Sequence, residues 1–422
     1  MFRTLKQLVP VPLFNALQIP YHYALALGGA LIYRFPSRKL IVIGVTGTKG
    51  KSTTVELVNA ILEEAGFRTA VAGTIRFKVA GVSERNLFKM TMPGRFFMQQ
   101  FLRRAVNAHC QYAILEMTSE GVKQFRHKFI DLDALIFTNL APEHIESHGS
   151  FEKYAAAKLK IAAAVKHSPK QRRVMVANAD DVYGERFLAA AGSAEKLPFN
   201  LADAEPYTLK QDGIDFTFAG TPMHSPLIGA FNLYNILAAA TFARSQGIKN
   251  ETIARAITKI GHIPGRVEKI IEGQPFTVVV DYAHTPESLR ALFEAFPAQR
   301  KICVFGSTGG GRDKWKRPEL GKIGDQLCEV SILNSDDPYE EDPLAIIEDV
   351  ARGFTVHTPE KITDRREAIR RALSLAQKDD VVLITGKGTD PYLMEAGGRK
   401  TPWSDADIAR KELHLLLAPK KH

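Results

Sequence analysis

Lys51 and Ser52 lie in a run, GVTGTKGKSTT at residues 44–54, whose residue types suit one task, holding a phosphate chain. Gly44, Gly47 and Gly50 let the backbone approach a ligand. Main-chain N–H groups at a helix start attract anions, Lys51 supplies a point charge, and the Ser52 hydroxyl can reach Mg2+. Gly47, Thr48, Lys49, Gly50, Lys51, Ser52 and Thr53 are therefore the candidate contacts to a nucleoside triphosphate. The spacing departs from the usual GxxxxGK[ST]: the residue five before Gly50 is Val45, and the glycine sits one earlier, at Gly44. An apolar run, LIVIGVT, leads into the loop and a helical pattern, VELVNAILEEAG, leaves it, which is the context such a loop needs.

Other residues could do chemistry beside it. Glu116 ends the strand-like run YAILE, where open α/β sheets place ligands, so its carboxylate suits either Mg2+ or a helix cap. FTNLAPEHIESHG sets His144 and His148 in a turn with Asn139 and Glu143 nearby, a spacing that serves loop hydrogen bonds or a metal. Without a cysteine companion or HExxH, zinc is not indicated. Lys158, amid alanines in YAAAKLKIAAA, reads by itself as a solvated helix face. GSTGGGRDKWKRPELG gathers Arg312, Lys314, Lys316 and Arg317 at a glycine-rich turn able to hold a carboxylate or phosphate. SDDPYEED has the opposite polarity and either attracts an amine or caps the next helix.

The elements that must position these groups follow an α/β rhythm. Apolar β-rich runs (TAVAGTI, YAILEMT, DALIFTN, RVMVAN) alternate with helical patterns, predicting a mostly parallel sheet, and a fresh series (FTVVVDYA, KICVFG, VSILNS, VVLITG) begins after Pro264-Gly265. The expected fold is α/β: a central P-loop ATPase domain at 39–264 and a Rossmann-like α/β domain at 265–422, preceded by a short apolar, basic segment at 1–38. At 422 residues the chain exceeds one typical core, as that division requires. A net charge of +10 suggests anionic partners, but the basic residues are dispersed, so nucleotides and acidic metabolites explain it without nucleic acid. Cys110, Cys303 and Cys328 are far apart, with no pairing or metal spacing, which fits a reducing cytoplasm. Residues 1–38 fail as a secretory signal or spanning helix, leaving packing on the first domain and a peripheral membrane contact as the two readings.

Taken together, these blocks resemble the Mur ligase family of ATP-dependent peptide ligases over nearly all of residues 39–416. GVTGTKGKSTT looks like the family's ATP loop, LEMTSEG like its metal-glutamate motif, and FTNLAPEHIESHG and YAAAK like its histidine and lysine motifs. GAFNLYNILAA and IPGRVE are similar to its later central blocks, and VDYAHTPESL, VFGSTGGGRDKWKRP, SDDPYEEDP and GKGTD to its C-terminal domain. The nearest pattern within the family is that of the ligases that add the third residue of the peptidoglycan stem.

The resemblance implies that ATP phosphorylates a muramoyl-dipeptide carboxylate and that an amino group then displaces the acyl phosphate. It implies Lys51 on the β/γ-phosphates; Ser52, Glu116, His144 and a carbamylated Lys158 around two Mg2+ ions; and Asn232, Arg266 and Asp281 on the nucleotide. Thr91, Ser119 and Arg126 would face the muramoyl peptide, with Arg312, Asp336, Asp337 and Asp390 on the incoming amino acid. Nucleotide contacts split across residue 264 imply domain closure. A cytoplasmic monomer is expected, with contact at the inner membrane face left open.

Departures from the family pattern sharpen or weaken these roles. Lys49 replaces an asparagine, Thr91-Met92-Pro93 stands for Thr-Thr-Pro, and Thr118-Ser119-Glu120 for Ser-Ser-His. Asp336-Asp337-Pro338-Tyr339 stands where diaminopimelate-adding ligases have Asp-Asn-Pro-Arg; lacking that arginine, the chain is expected to favour L-lysine or a similar diamino acid. Only 38 residues precede the loop-bearing domain, where the family's enzymes carry a UDP-gripping domain of roughly a hundred. UDP recognition therefore does not simply carry over: either the short segment and the central domain hold a UDP-linked muramoyl dipeptide through fewer contacts, or the donor is presented on a lipid. A folylpolyglutamate-synthetase-like ligase, and a non-catalytic ATP-binding regulator or ligase subunit needing a partner, are the competing functions.

Overall fold

The computed structural model describes residues 11–143 and 145–418. Among these it divides into two compact units. The first takes residues up to Ala141, Glu152–Asp203 and Tyr234–Ala256; the second takes Pro142–Phe151, Ala204–Leu233 and the chain from Ile257 onward. Segments 142–151, 204–233 and 257–264, grouped with the first domain in the sequence reading, thus count with the second unit.

The first unit is built on an eight-stranded sheet: β1 (Ile41–Thr46), β2 (Thr69–Ala72), β3 (Arg76–Val79), β4 (Val82–Arg85), β5 (Tyr112–Glu116), β6 (Ala134–Phe137), β7 (Val174–Asn178) and β8 (Glu195–Phe199). Their order is β4-β3-β2-β5-β1-β6-β7-β8, parallel except for the β2-β3-β4 meander. The parallel strands from β1 to β7 are almost wholly buried, as their near-continuous apolar runs require of strands covered on both faces. In β1, Gly44 lies opposite Leu115 on one side and Leu135 on the other, and an added Cβ would sit 2.6 Å from Met117 Sδ. Chain order reverses across β1, so the loops leaving β1, β5 and β6 gather at the carboxyl edge, where such sheets hold ligands.

The helix Val11–Ile32 lies against the helix Arg95–Asn107 of the same unit. Gly29 would bring a Cβ within 3.5 Å of the Phe96 backbone, Tyr23 meets Phe125 and Phe129 edge-on, and Arg103 donates to Tyr33 O at 3.0 and 2.6 Å. Among the described residues no helix is long and apolar enough to cross a membrane.

In the second unit, β9 (Tyr207–Leu209), β10 (Ile214–Phe218) and β11 (Thr221–Ser225) form an antiparallel meander. The main sheet contains β12 (Glu268–Ile270), β13 (Thr277–Val280), β14 (Lys301–Ser307), β15 (Val330–Ser335), β16 (Glu360–Lys361) and β17 (Val381–Ile384), ordered β12-β13-β17-β14-β15-β16 with only β12 antiparallel. Side chains alternate across it. Val279, Cys303, Phe305, Leu333 and Leu383 pack with Leu289, Phe293, Leu320, Ile323 and Ile347 of three helices on one face. Val278, Val280, Ile302, Val304, Ile332 and Ile384 pack with Ile369, Leu373, Ala409 and Leu413 of two helices on the other. Each Val, Leu, Ile or Phe side chain among them contributes about 1.5–3 kcal/mol on leaving water, so both layers are needed. The expected α/β class, a mostly parallel first sheet followed by a Rossmann-like second, is what the chain forms.

The cysteine reading is corrected: Cys303 and Cys328 form a disulfide, and Cys110 is buried and free. Twenty-five residues separate the pair in sequence, yet a strand-helix crossover returns the end of the helix Lys316–Leu327 over β14, with the two Cα atoms 6.2 Å apart. The same helix carries Asp325, whose carboxylate accepts Thr355 N at 2.8 Å, Val356 N at 3.0 Å and His357 N at 2.8 Å. Burial pushes its pKa up, but these main-chain donors outweigh burial and hold it well below the usual range. A folded pKa below the unfolded one means stability that is present at neutral pH and lost as pH falls. Asp325→Asn is expected to cost about 1–3 kcal/mol at pH 7 in urea unfolding, with the difference shrinking below about pH 4.

Candidate functional site

The loop after β1 is shaped by two glycines in conformations that side chains rarely adopt. A Cβ on Gly47 (φ 151°) would lie 2.0 Å from Thr138 Oγ1, and one on Gly50 (φ 81°) 2.1 Å from Asn235 Oδ1. Asn139 fixes the turn between them. Its Oδ1 accepts Lys49 N at 2.9 Å, its Nδ2 donates to Lys49 O at 3.2 Å, and its carbonyl accepts Thr48 N at 2.8 Å. The helix Lys51–Glu64 starts at once, so the positive end of its dipole and the loop amides face one spot suited to an anion. Lys51 Nζ donates to Gly47 O at 3.0 Å and Thr48 O at 2.8 Å, arching over the loop. Thr53 is buried beneath it.

Glu116, at the carboxyl end of β5, is buried, and its Oε2 accepts both Ser52 Oγ at 3.1 Å and Thr74 N at 2.9 Å. Thr74 Oγ1 in turn meets Thr91 Oγ1 at 2.8 Å. A hydroxyl and a carboxylate oxygen brought together beside a phosphate loop suit a hard cation such as Mg2+. No group of three His, Cys, Asp or Glu able to hold a metal occurs among the described residues, and His144 lies outside them. Lys158 is not on a solvated face: it is buried in the helix Phe151–Lys166, its Nζ 2.6 Å from Gly47 O and 5.1 Å from the Tyr154 ring centre. Tyr154 OH is 3.0 Å from Thr48 Oγ1, so this helix braces the loop twice.

Of the other residues expected at a donor, Ser119 is buried in the short helix Ser119–Lys123. Arg126 donates to Met92 O, next to Thr91, and to Gln124 Oε1 at 2.7 Å. Thr74, Asn235, Tyr154 and Gln124 were not singled out as site residues from the sequence, and Asn139 was noted only beside His144 and His148. Thr74, Asn235 and Tyr154 make their contacts with residues 17 to 181 positions away in the chain, which their own segments do not reveal.

In the second unit, Arg266 stacks over Tyr282 (4.6 Å to the ring centre) and donates to Gly265 O at 2.9 Å. Asp281 accepts Val267 N at 2.7 Å and Ala283 N at 2.6 Å, which pins the Pro264-Gly265 turn to β13. Gly265 (φ 60°) has no room for a side chain, its Cβ position being 2.5 Å from Thr389 N. Asn232, expected at the nucleotide, donates to Ile228 O at 2.9 Å. The negative charge of Asp390, then burial, push the Tyr282 phenol well above its ordinary pKa. Arg312 is exposed and hydrogen-bonds Tyr339.

Asp336 and Asp337, expected at an acceptor ammonium, turn inward instead. Asp336 Oδ1 pairs with Arg365 at 2.7 Å and Asp337 Oδ1 with Lys387 at 2.7 Å, while Asp390 lies 3.3 Å from the same Lys387. Lys387, in the middle of GKG, is almost fully buried. Gly386 (φ 104°) lets the chain pass Asp336, whose Oδ2 is 2.4 Å from where a Cβ would be.

The two halves of the chain match separate family models, the Mur ligase middle domain over residues 45–243 and the Mur ligase glutamate ligase domain over residues 265–388. A UDP-N-acetylmuramoyl-L-alanyl-D-glutamate--2,6-diaminopimelate ligase from Syntrophomonas wolfei is 35% identical over 384 residues, covering 87% of this chain and 77% of its own. A UDP-N-acetylmuramyl-tripeptide synthetase from a Roseiflexus species is 37% identical over 437 residues, covering 97% and 85%. A solved structure of a UDP-N-acetylmuramoyl-L-alanyl-D-glutamate--2,6-diaminopimelate ligase superposes with a TM-score of 0.61 at 28% identity, over 89% of this chain and 79% of that one. With a glycine-shaped phosphate loop, a buried glutamate hydrogen-bonded to its serine and a second α/β unit of matching sequence, the chain belongs to the Mur ligase family of ATP-dependent, amide-bond-forming enzymes.

Proposed function

We propose that the chain joins an amino acid to the terminal carboxylate of a UDP-linked muramoyl dipeptide during peptidoglycan precursor synthesis, through an acyl phosphate formed at the expense of ATP. The observation that carries this reading is the line of contacts Ser52–Glu116–Thr74–Thr91, which joins the phosphate loop to a residue expected at the donor. A carboxylate attacking a phosphate needs charge neutralisation and alignment more than covalent help. Lys51 would exchange one of its two loop carbonyls for β/γ-phosphate oxygens, keeping its charge above the chain of phosphates. Ser52 and Glu116 would hold Mg2+, with His144 as a further ligand; bound there, the ion offsets phosphate charge.

Lys158 is proposed to react with CO2: its ammonium loses a proton, and the neutral amine nitrogen bonds to carbon as a second proton leaves, to give a carbamate. A carbamate keeps an N–H for Gly47 O and turns a buried cation into an anion beside the loop, reversing the local charge. Arg266, Asp281 and Asn232 are proposed for the nucleotide, and Arg312 and Asp390 for the acceptor.

For the acceptor, we favour L-lysine because Tyr339 offers no guanidinium to a second carboxylate. With Asp336 and Asp337 paired inside the protein, this preference rests on residue 339 alone. The diaminopimelate ligases among its relatives make diaminopimelate the second reading. Phosphate release and product mass with UDP-muramoyl dipeptide and an acceptor panel test both levels: L-lysine is expected to give the largest kcat/KM. A clear preference for diaminopimelate overturns the acceptor, and no turnover with any amino acid overturns the donor.

A further inference from the structure

Three basic side chains from separate segments of the first unit converge around Gln124. Arg95, in the first turn of the helix Arg95–Asn107, donates from Nε to Gln124 O at 2.7 Å, and its Nη2 meets His22 Nδ1 at 2.6 Å. Arg126 donates from Nη2 to Gln124 Oε1 at 2.7 Å and from Nη1 to Met92 O, while its buried Nε has no partner. His22 comes from the helix Val11–Ile32. Accepting at Nδ1, its neutral ring carries the proton on Nε2, a further donor.

These groups oppose one another. Burial, then Arg95, then Arg126 hold His22 below the usual histidine range, and burial followed by Arg95 lowers Arg126. Burial likewise lowers Arg95. Glu120 is the opposite charge acting on Arg126, and it also pairs with Lys123 at 3.5 Å. No carboxylate forms an ion pair with Arg95 or Arg126 among the described contacts. A fold that gathers like charges and leaves a guanidinium N–H unbonded favours an oxyanion that takes up those donors.

We propose that Arg95 and His22 join Arg126 in an oxyanion-binding subsite, which holds a phosphate or carboxylate of the donor against the N-terminal helix. Its position follows from Arg126 gripping Met92 O, one residue from Thr91, whose hydroxyl leads back through Thr74 to Glu116. Identifying the bound molecule as the donor rests on the muramoyl-peptide reading; the anion site itself does not.

Calorimetry on the full chain, with the phosphate loop filled by a nonhydrolysable ATP analogue, tests the site using inorganic pyrophosphate and glutarate as probes. At least one probe is expected to bind, pyrophosphate identifying a phosphate subsite and glutarate a carboxylate one. Arg95→Gln and His22→Gln should each weaken it tenfold or more, and Arg95→Lys should keep part of the affinity. Because the substitutions relieve repulsion, the ligand-free melting temperature of Arg95→Gln should stay level or rise, whereas a merely structural arginine would lower it. In turnover, Arg95→Gln should raise the donor KM tenfold with little change in the KM for ATP. Binding of neither probe overturns the subsite, and an unchanged donor KM in an active variant that no longer binds the probe overturns its assignment to the donor. A chain that binds the probe through Arg95 yet ligates nothing to a muramoyl dipeptide overturns the donor reading and leaves the subsite standing.

Discussion

Lys158→Ala is expected to reduce kcat by about 10²–10³ while the protein stays folded, the size of effect seen when one pre-placed electrostatic group is lost from an active site. The lysine is buried at the loop, 2.6 Å from Gly47 O and over Tyr154, where its charge state acts directly on the phosphate cradle. Two roles predict opposite rescues. As a bracing cation its loss would be offset by a small amine; as a carbamate it would be offset by a small carboxylate such as formate or acetate, which supplies the missing anion. Phosphate release by Lys158→Ala with either additive separates them: partial recovery with the carboxylate alone supports carbamylation, and recovery with the amine alone refutes it. Circular dichroism and the melting temperature confirm that both measurements concern folded enzyme.

Lys158 also marks how far local sequence reaches. Among alanines at helical spacing it reads as a solvated face, and only the pattern of ordered blocks around it lifted it to a candidate, because burial is decided by what packs across a helix. The phosphate loop was legible directly: strand, glycines, Lys-Ser and helix are contiguous, and each obeys a local rule. Glu116 was legible for the same reason, as a carboxylate at the end of an apolar strand. Asn235 was not, since its partner Thr54 is 181 residues away and its own helix gives no sign of the contact. The string Asp336-Asp337 read as an amine site or a helix cap, but the cations that meet it, Arg365 and Lys387, come from a distant helix start and a distant loop. Cys303 and Cys328 failed for the same reason, the crossover that joins them being a property of the sheet order. Local chemistry can be read from neighbours in sequence; pairing across a parallel sheet requires the topology.

That distant cation carries the largest expected effect on stability. Arg365 is buried at the centre of a polar network. Its Nε and Nη2 grip Asp405 at 2.8 and 2.7 Å, Nη1 reaches Asp336 at 2.7 Å and Asn334 at 3.2 Å, and Nη2 also donates to Thr385 O at 2.6 Å. Arg365→Met is expected to cost about 3–5 kcal/mol, because it leaves two buried carboxylates without their guanidinium. Set against a total of about 5–15 kcal/mol, that brings the second unit close to unfolding near body temperature. Burial already pushes the Asp336 carboxyl up, with Arg365 and then Lys387 pulling it down, so removing Arg365 raises it further. A carboxyl whose folded pKa exceeds its unfolded one binds more protons in the folded state, so stability falls as pH rises through that window. The deficit of Arg365→Met in urea unfolding should therefore be larger at pH 8 than at pH 5. Adding Asp336→Asn and Asp405→Asn should recover part of the loss at pH 8, since the charges left unpaired are gone. Asp336 also lies against Gly386, so any shift of its carboxylate moves the backbone beside Lys387, and ligase activity should fall with stability. A deficit below about 1 kcal/mol, or one independent of pH, would show that Asp336 and Asp405 draw their compensation from elsewhere in the unit.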